Sequence, residues 1–182
     1  MLNVYKIEAD NSIYGPGKRT VIWFRGCSIR CAGCINPELW KIDAKSNVLI
    51  DNLLSNISNE GVTLLGGEPL DQENIERFID KLKTLDKSII LFTGYSLNNI
   101  DDNKKRIASK CDVVISEPFI KSLKDDSLYL RGSTNQIITI NSTKFSKEDF
   151  DKPNTFEIKI QNDNLTSFGR NKKIISDILE LN

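Results

Sequence analysis

The chain has no histidine among its 182 residues. Without imidazole, it cannot form Cys2His2 or Cys3His zinc sites, which need at least one histidine ligand. The same absence excludes Ser-His-Asp triads and Cys-His nucleophilic pairs, in which histidine is the base. Any metal site in this protein must therefore rest on thiolate and carboxylate ligands.

An excess of charge of one sign is also lacking, since 25 Lys and Arg residues balance 25 Asp and Glu residues. That balance favours neither a nucleic-acid partner nor an acidic membrane surface. No apolar run approaches the about 18 to 20 residues that span a bilayer. The opening MLNVYKIEAD lacks the basic and apolar regions of a signal peptide. We therefore expect no nucleic acid, no membrane and a cytoplasmic location, where thiols are reduced.

The sequence shows no internal repeat, low-complexity segment or linker that would divide it. A length of 182 residues suits one well-buried domain and is too short for two large ones. We therefore predict a single domain over residues 1–182.

Four short apolar runs predict buried strands, at residues 20–24, 62–65, 88–92 and 113–115. Uninterrupted apolar runs are typical of strands that are covered on both faces, as in a parallel sheet. Helical spacing lies between the runs, at Ile50, Leu53, Leu54 and Ile57, again at Ile75, Phe78, Ile79 and Leu82, and more weakly at Leu97, Ile100, Ile107 and Ala108. We expect Gly61 to end the first helix and Asp71 to cap the second.

This alternation of strands and helices indicates an α/β protein with a parallel sheet. Three to four βα units are too few for a complete eight-stranded barrel, which needs about 250 residues. We predict a partial, open TIM-like βα barrel, with an open α/β sheet as the alternative. Two later strands are expected at residues 136–140 and 156–160, and a terminal helix at Ile174, Ile175, Ile178 and Leu179.

Three of the four cysteines, Cys27, Cys31 and Cys34, lie in the stretch RGCSIRCAGCIN at residues 25–36. Their Cys-x3-Cys-x2-Cys spacing falls in a loop after the first strong apolar strand, at the end where α/β folds place ligands. Three thiolates fill three corners of a cubic iron–sulfur cluster and leave the fourth iron without a protein ligand. An open coordination position is typical of reactive rather than structural metal sites.

Two simpler interpretations compete with a cluster. A structural zinc site would need a fourth ligand, and Cys111 lies beside an apolar run, where a buried free thiol is expected. Disulfides would leave one of the three clustered cysteines unpaired. The spacing also differs from that of ferredoxins. An iron–sulfur site with an open position is therefore favoured.

A second candidate site follows the second apolar strand, in LLGGEPLDQ at residues 64–72. Paired glycines at a strand end let a ligand approach the backbone, and Glu68 can accept hydrogen bonds from an ammonium group. By itself, a Gly-Gly pair in a βα turn is more often only a turn. The stretch gains weight because it is expected at the same end of the sheet as the cysteines.

Together, the cysteine spacing and the Gly-Gly-Glu-Pro turn resemble the radical S-adenosylmethionine (radical SAM) superfamily. The longer stretch FRGCSIRCAGCINPELW is similar to the cluster loop of the small glycyl-radical activases that serve anaerobic ribonucleotide reductases. GPGKRTVIWF, FTGY, ISEPFI and RGSTNQ agree with that family. The resemblance covers a core at about residues 14–140 and leaves residues 141–182 as a C-terminal strand and helix extension.

The resemblance implies that Cys27, Cys31 and Cys34 are the catalytic metal ligands of a [4Fe-4S] cluster. SAM would bind the open iron, be cleaved reductively to methionine and a 5′-deoxyadenosyl radical, and so generate a glycyl radical on a partner enzyme. The implied cofactor contacts are Gly33, Cys34, Ile35, Gly66, Gly67, Glu68, Pro69, Thr93 and Ser116. Within this set, Gly33 and Ile35 flank the third cysteine on the adenine side, Pro69 fixes the turn, and the SAM ammonium is held by Gly66, Gly67 and Glu68.

Two positions depart from the family pattern. Ile29 stands between the first two cysteines, where the activases often carry histidine. Glu117, in ISEPFI, stands where a small Asp-Gly type of turn is expected. We therefore expect local differences from the family around these two residues.

The implied partner is a glycyl-radical enzyme, expected to be an anaerobic ribonucleotide reductase, and the implied electron donor is a flavodoxin or a ferredoxin. One alternative is a small radical SAM enzyme that modifies a peptide or a small molecule. An alternative of another class is a non-catalytic iron–sulfur electron-transfer or metal-binding module. The Gly-Gly-Glu-Pro element separates the two classes, because an electron carrier needs no SAM site.

Overall fold

The computed structural model describes residues 1–161 and 164–169. The strands are β1 Leu2–Asn11, β2 Arg19–Phe24, β3 Asn47–Val48, β4 Gly61–Gly66, β5 Ser88–Phe92, β6 Val113–Ser116, β7 Ile137–Ile140, β8 Glu157–Gln161 and β9 Asn164–Phe168. The α-helices are α1 Ile50–Ser55, α2 Ile75–Thr84 and α3 Asp102–Ser109. Within the described ranges, none of the helices is long and apolar enough to cross a membrane. The predicted terminal helix lies outside the described residues.

Seven strands form one mixed sheet in the order β3-β1-β2-β4-β5-β6-β7. Its centre is parallel, because β2, β4, β5 and β6 run side by side in one direction. On one side β1 pairs antiparallel with β2 and β3, and on the other β7 pairs antiparallel with β6. A separate hairpin is formed by β8 and β9. The predicted α/β class with a parallel centre is confirmed, and antiparallel strands extend the sheet at both sides.

All six strands predicted from the sequence are present. The four apolar runs correspond to β2, β4, β5 and β6, and the two later ones correspond to β7 and β8. The ten-residue strand β1 was not predicted, because charged residues interrupt its apolar pattern. The described sheet ends in two edge strands, β3 and β7, as an open α/β sheet does. Curvature into a partial TIM-like barrel and a single domain over the whole chain stay predictions.

The parallel strands carry the core because their side chains are covered on both faces. All six residues of β2 and all four residues of β6 are buried. Helix α2 packs on the sheet through four residues that are at most 1% exposed, namely Ile75, Phe78, Ile79 and Leu82. The helical spacing predicted for this segment is therefore confirmed.

The first helix is shorter than predicted, and its expected end is wrong. Helix α1 ends at Ser55 rather than near Gly61. Gly61 instead opens β4, where a Cβ would clash with the guanidinium of Arg19. The glycine is thus required by the packing of a buried arginine and not by a helix terminus.

The predicted cap of the second helix is also wrong. Helix α2 follows Asn74, whereas Asp71 ends a 3-10 turn over Pro69–Asp71. The Asp71 carboxylate accepts hydrogen bonds from Ser28 and Tyr95 instead. Asp71 is therefore engaged by the loops at the end of the sheet, which a local helix signal does not reveal.

The third helix starts later than the apolar spacing suggests. Helix α3 contains Ile107 and Ala108, whereas Leu97 and Ile100 precede it. Asp101 caps the helix, since its carboxylate accepts a backbone N–H from the first turn. The start of α3 is therefore set by its N-cap residue Asp101 and not by the apolar spacing.

The parallel register brings several loops to one edge of the sheet. Phe24 at the end of β2 lies opposite Gly66 at the end of β4, and Phe92 of β5 lies opposite Ile115 of β6. The loops that follow these strands therefore emerge side by side. Both sequence motifs with predicted chemistry lie in these loops.

Candidate functional site

A cavity of about 550 Å³ opens at this edge of the sheet. Its walls come largely from the loops that follow β2, β4, β5 and β6. Among the predicted ligand and cofactor residues, those that line the cavity are Cys27, Cys31, Cys34, Ile35, Gly66, Gly67, Glu68 and Thr93. Two motifs that are separate in sequence therefore meet in one site.

Backbone hydrogen bonds tie the start of the cysteine loop, residues 25–36, to the segment behind it. Gly26 N–H donates to Leu39 O at 2.8 Å, and Cys27 N–H donates to Trp40 O at 3.1 Å. Gly26 has a φ of +89°, which glycine adopts without strain. The chain thus turns sharply after β2, and Cys27 lies in the cavity wall.

The three thiols of the cysteine loop are free and half-buried in the cavity wall. Asn36 N–H donates to Cys34 Sγ at 3.4 Å. Burial raises the pKa of the Cys27 and Cys31 thiols, while backbone N–H groups act in the opposite direction. The backbone N–H groups favour the thiolate, which is the form that binds metal.

The donor set fits an iron–sulfur cluster better than a single metal ion. Within residues 1–161 and 164–169, no three Cys, Asp or Glu side chains converge closely enough to hold one ion. A [4Fe-4S] cluster takes each thiolate on a different iron, so its ligands stand apart. Cys111 is 1% exposed and lies in the core rather than in the cavity wall, so no fourth cysteine completes a zinc site here.

The Gly66-Gly67-Glu68 turn packs directly against the cysteine loop. Gly66 has a φ of +110°, and a Cβ on Gly67 would clash with the carbonyl oxygen of Gly26. Gly67 N–H donates to Phe24 O, and Glu68 N–H donates to Gly26 O, each at 2.8 Å. Close backbone approach therefore requires both glycines, and the turn fixes the two motifs relative to each other.

Glu68 is a buried carboxylate in the cavity wall, 1% exposed and held by three donors. Its Oε1 accepts from Leu70 N–H at 3.0 Å and from the Thr93 hydroxyl at 2.9 Å, and its Oε2 accepts from Gly94 N–H at 2.8 Å. Burial raises the pKa of Glu68 to about 7, although the three donors act in the opposite direction. Oε2 keeps acceptor capacity, so the carboxylate can take a further N–H donor from a ligand.

Three of the predicted cofactor contacts do not line the described cavity. Ser116 ends β6 and is 1% exposed, and Pro69 is buried at the start of its 3-10 turn. Gly33, with a φ of +80°, lies beside the side chains of Phe119 and Lys121. Direct contact of these three residues with a cofactor stays a prediction.

A hydrogen-bonded triangle that the sequence analysis did not predict anchors the cysteine loop. Ser28 N–H donates to Asp71 Oδ2 at 2.8 Å, and the Tyr95 hydroxyl donates to Asp71 Oδ1 at 2.6 Å. The hydroxyl oxygens of Ser28 and Tyr95 lie 2.8 Å apart, and Lys104 Nζ lies 4.7 Å from the centroid of the Tyr95 ring. Tyr95 lies in the FTGY stretch and Asp71 in the GGEPLD stretch. The spacing of these stretches along the chain does not predict that the two side chains meet.

Ile29 stands between the first two cysteines, where the resemblance predicts a local difference. It lines the cavity, and a Cβ on Gly94 would lie only 2.8 Å from Ile29 Cδ1. The isoleucine thus packs closely on the turn after β5. It supplies an apolar contact where an imidazole would offer a polar one.

Glu117, the other departure from the family pattern, also lines the cavity. Its φ of +82° lies in the left-handed region, which favours glycine. Glu117 N–H donates to Tyr95 O at 3.1 Å, and Glu117 O accepts from Gln136 Nε2 at 3.1 Å. The chain therefore keeps a glycine-type turn while placing a glutamate in it.

Replacing Glu117 with glycine is expected to raise the free energy of unfolding by about 1 kcal/mol, because the relieved strain exceeds the added entropy of the unfolded chain. Urea unfolding of the metal-free protein measures this change. Glu117→Ala is the matched control, since it removes the carboxylate but keeps a Cβ at the same positive φ. An equal gain in the free energy of unfolding in both variants would mean that the loss of charge stabilises the protein. The explanation by backbone strain at residue 117 would then be wrong.

Comparison with known proteins shows the family to which this chain belongs. Residues 13–139 match the family model described as a 4Fe-4S single cluster domain. The anaerobic ribonucleoside-triphosphate reductase-activating protein of Haemophilus influenzae is 34% identical over 152 residues, which cover 75% of this chain and 97% of that protein. The chain belongs to this activating-protein family.

Further members of the activating-protein family agree with that assignment. The protein of the same name from Vibrio cholerae is 29% identical over 150 residues, covering 75% of this chain and 97% of its own length. The one from Enterobacteria phage T4 is 31% identical over 161 residues, covering 81% and 100%. The family recognised from the cysteine and Gly-Gly-Glu-Pro motifs is confirmed, and both motifs lie inside the region matched by the 4Fe-4S domain.

Proposed function

We propose that this chain is a radical SAM enzyme with a [4Fe-4S] cluster, which generates a glycyl radical on an anaerobic ribonucleoside-triphosphate reductase. The observation that supports this function is the meeting of three free thiols and the Gly-Gly-Glu turn in one cavity. Membership of the activating-protein family supplies the expected partner. The thiols suit a cluster, and the adjoining glycine backbone suits the charged methionine end of SAM.

In this proposal Cys27, Cys31 and Cys34 hold the cluster and leave one iron without a protein ligand. When bound, the reduced cluster would supply the electron for cleavage of SAM into methionine and a 5′-deoxyadenosyl radical, and that radical would take a hydrogen atom from a glycine of the partner. Cofactors of this kind carry the hard chemistry, so the protein needs no acid–base pair. A chain without histidine is compatible with that division of labour.

The Gly-Gly-Glu turn would orient SAM beside the open iron. The backbone of Gly66 and Gly67 lines the cavity, and Glu68 Oε2 can accept an N–H from the amino end of SAM. Thr93 donates to Glu68 Oε1 and so holds the carboxylate in place. Ile35, which is 49% exposed at the cavity wall, offers an apolar surface for adenine. The remaining proposed contacts are Gly33, Cys34, Pro69 and Ser116.

The inner wall of the cavity is apolar. Trp23, Leu65 and Phe92 line it, and the ring of Tyr14 meets Trp23 edge to face with centroids 5.3 Å apart. Apolar walls keep water away and so protect reactive intermediates. The cavity opens outward, and we propose that a glycine-bearing segment of the reductase enters from that side.

The proposal includes a flavodoxin or a ferredoxin as electron donor. It also includes the cytoplasm as location, because free thiols, as all four cysteines are here, are typical of a reducing compartment. A radical SAM enzyme that modifies a peptide or a small molecule would use the same cavity. A non-catalytic electron carrier would have no use for a buried carboxylate with a free acceptor site beside the cluster. A test of the function must therefore separate SAM cleavage from radical transfer.

The experiment combines the anaerobically reconstituted protein, SAM and a reductant with the anaerobic reductase of the same organism. We expect 5′-deoxyadenosine together with the electron paramagnetic resonance (EPR) doublet of a glycyl radical in the reductase. A reductase whose radical-bearing glycine is replaced by alanine is the control. SAM cleavage without the doublet would favour the peptide or small-molecule alternative, and a bound cluster without SAM cleavage would favour the electron carrier.

A further inference from the structure

The first four residues of the cysteine loop, 25–28, are tied to the rest of the fold by their backbone. Each of them donates its N–H group to a residue outside the loop. The first three donate to backbone carbonyl groups, whereas Ser28 donates to the side chain of Asp71 at 2.8 Å. Asp71 is therefore the support of this stretch that a substitution can remove without altering the loop itself.

Two of these hydrogen bonds enclose Cys27. Its own N–H donates to Trp40 O at 3.1 Å, and the N–H of the next peptide group is the one that Ser28 donates to Asp71. Both peptide groups that flank the Cα atom of Cys27 are thus held from outside the loop. The Cα–Cβ bond of Cys27 therefore has a set direction, and its side chain lies in the cavity wall.

The Asp71 carboxylate is held in turn by the hydrogen-bonded triangle. The Tyr95 hydroxyl donates its one proton to Asp71 Oδ1 at 2.6 Å, so the Ser28 hydroxyl, 2.8 Å from the Tyr95 oxygen, is the donor in that contact. Lys104 Nζ lies 3.9 Å from Asp71 Oδ1. Both carboxylate oxygens are therefore engaged, and the one that holds the Ser28 N–H cannot turn away freely.

The triangle lies outside the cavity. None of its three residues is among the described residues that line the cavity wall. Its other end leads to the second motif, since Tyr95 N–H donates to Thr93 Oγ1 at 3.1 Å and the Thr93 hydroxyl donates to Glu68 Oε1 at 2.9 Å. The triangle thus joins the loop segment at Cys27 to the buried carboxylate of Glu68.

We propose that Asp71 and Tyr95 are positioning residues for the iron–sulfur cluster. They hold the Ser28 N–H and so keep Cys27 oriented as a ligand before the cluster binds. Both residues act through Ser28 rather than on the cluster itself. Partners that orient a metal ligand in this way typically contribute about 10- to 100-fold to metal affinity. This inference rests on the proposed ligation of the cluster by Cys27.

The test compares Asp71→Leu with Leu82→Ala in the reconstituted protein, without SAM and without reductase. Leucine at position 71 removes both acceptor oxygens of the triangle. Leu82 is 0% exposed and lies near the end of α2 that leads to the start of β5, at the edge of the sheet opposite the cavity. A cavity in the core costs at least as much stability as an unpaired donor, so the control is no more stable.

Two measurements are made on each variant. Transfer of iron to a chelator gives the rate of cluster loss, and urea unfolding of the metal-free protein gives the stability. We expect iron release to be about 10- to 100-fold faster in Asp71→Leu than in the wild type. Leu82→Ala should release iron at close to the wild-type rate. Tyr95→Phe, which removes one hydroxyl, should accelerate release by less than Asp71→Leu.

A conservative variant should rescue the slow release. In Asp71→Asn the amide oxygen can accept from the Ser28 N–H, and the amide nitrogen can donate to the Tyr95 oxygen. The Tyr95 hydroxyl can then donate to the Ser28 hydroxyl, so the triangle is rebuilt with the opposite donor order. Release as fast in Asp71→Asn as in Asp71→Leu would mean that charge rather than hydrogen bonding matters, and would overturn the proposal.

Two other results would also overturn the positioning role. One is release at the wild-type rate in both Asp71→Leu and Tyr95→Phe. The other is equally fast release in Leu82→Ala, because cluster loss would then follow stability alone. If Asp71→Leu does not fold, Tyr95→Phe is judged against Leu82→Ala by the same criterion.

Failure of the ligand assignment gives a different result. In that case Cys27→Ala would keep its cluster as long as the wild type does, and Asp71 would have no ligand to position. If Cys27→Ala loses the cluster while the triangle variants release iron at the wild-type rate, the ligand assignment stands and only the role of the triangle is wrong. SAM takes no part in these measurements, so a failure of the proposed radical chemistry would be seen separately.

Discussion

Replacing Cys31 with alanine is expected to abolish cluster binding. Wild-type protein that is reconstituted anaerobically with iron and sulfide should bind about four irons per chain. In Cys31→Ala only Cys27 and Cys34 remain as thiols in the cavity wall, and two thiolates cannot hold three corners of a cube. Loss of an outer-shell partner already costs about 10- to 100-fold in metal affinity, so loss of a ligand should cost more. We expect 5′-deoxyadenosine formation from SAM to fall below detection.

Cys111 supplies the matched control for this substitution. It is 1% exposed in the core, and burial raises the pKa of its thiol to about 12, so it stays a protonated thiol at neutral pH. Cys111→Ala should keep about four irons and full SAM cleavage, with a loss of about 1 kcal/mol in stability. The assignment of the ligands would be wrong if Cys31→Ala remained brown and cleaved SAM at the wild-type rate.

The meeting of the two motifs could be predicted from the sequence because of a general property of parallel sheets. Consecutive parallel strands present their carboxyl ends at one edge, so the loops after β2 and β4 must emerge together. Cys27 and Glu68 follow these strands within a few residues, and both line the cavity. Apolar runs were enough to find the parallel strands, since burial on both faces leaves little room for polar residues.

The hydrogen bonds that hold the loops around the cavity could not be predicted, because they join residues that are distant along the chain. Asp71 carries a local signal for a helix cap, yet Ser28 and Tyr95 use its carboxylate. Asn135 and Pro118 pair only because β6 and β7 are antiparallel neighbours. Such contacts are set by strand order, which residue spacing alone does not give.

The antiparallel strand β1 could not be predicted from apolar runs, whereas the antiparallel strand β7 could. Strand β1 lies beside β2 in the sheet, and three charged residues that are not buried, Lys6, Glu8 and Asp10, break its apolar run. A strand of this kind is covered less completely than the parallel strands. Its sequence therefore lacks the continuous apolar pattern by which the central strands were found.

Replacing Glu68 with glutamine is expected to change how the stability of the protein depends on pH. Burial raises the pKa of Glu68 from 4.5 to about 7 in the folded chain. Between these two values the unfolded chain has lost the proton and the folded chain still holds it, so wild-type stability falls as the pH rises. The difference between the folded and unfolded pKa is worth about 3 kcal/mol.

Glutamine does not ionise, so Glu68→Gln removes this contribution. Its amide N–H would face one of the donors that now bond to the carboxylate, which costs about 1–3 kcal/mol. The variant should therefore be less stable than the wild type at pH 5, and the difference should shrink or reverse by pH 8. Urea unfolding of the metal-free protein measures both. Glu60→Gln, an exposed position just before β4, should keep the wild-type pH dependence.

The same substitution should weaken SAM binding by at least about tenfold, because a hydrogen bond to a charged group contributes about 1.5–3 kcal/mol. Equilibrium dialysis of the reconstituted protein measures the affinity, and the iron content should stay at about four, since Glu68 is not a cluster ligand. Loss of SAM affinity with an intact cluster would assign the carboxylate to the cofactor. An unchanged affinity combined with a flattened pH profile would show that Glu68 only supports the fold, and its role in SAM binding would be wrong.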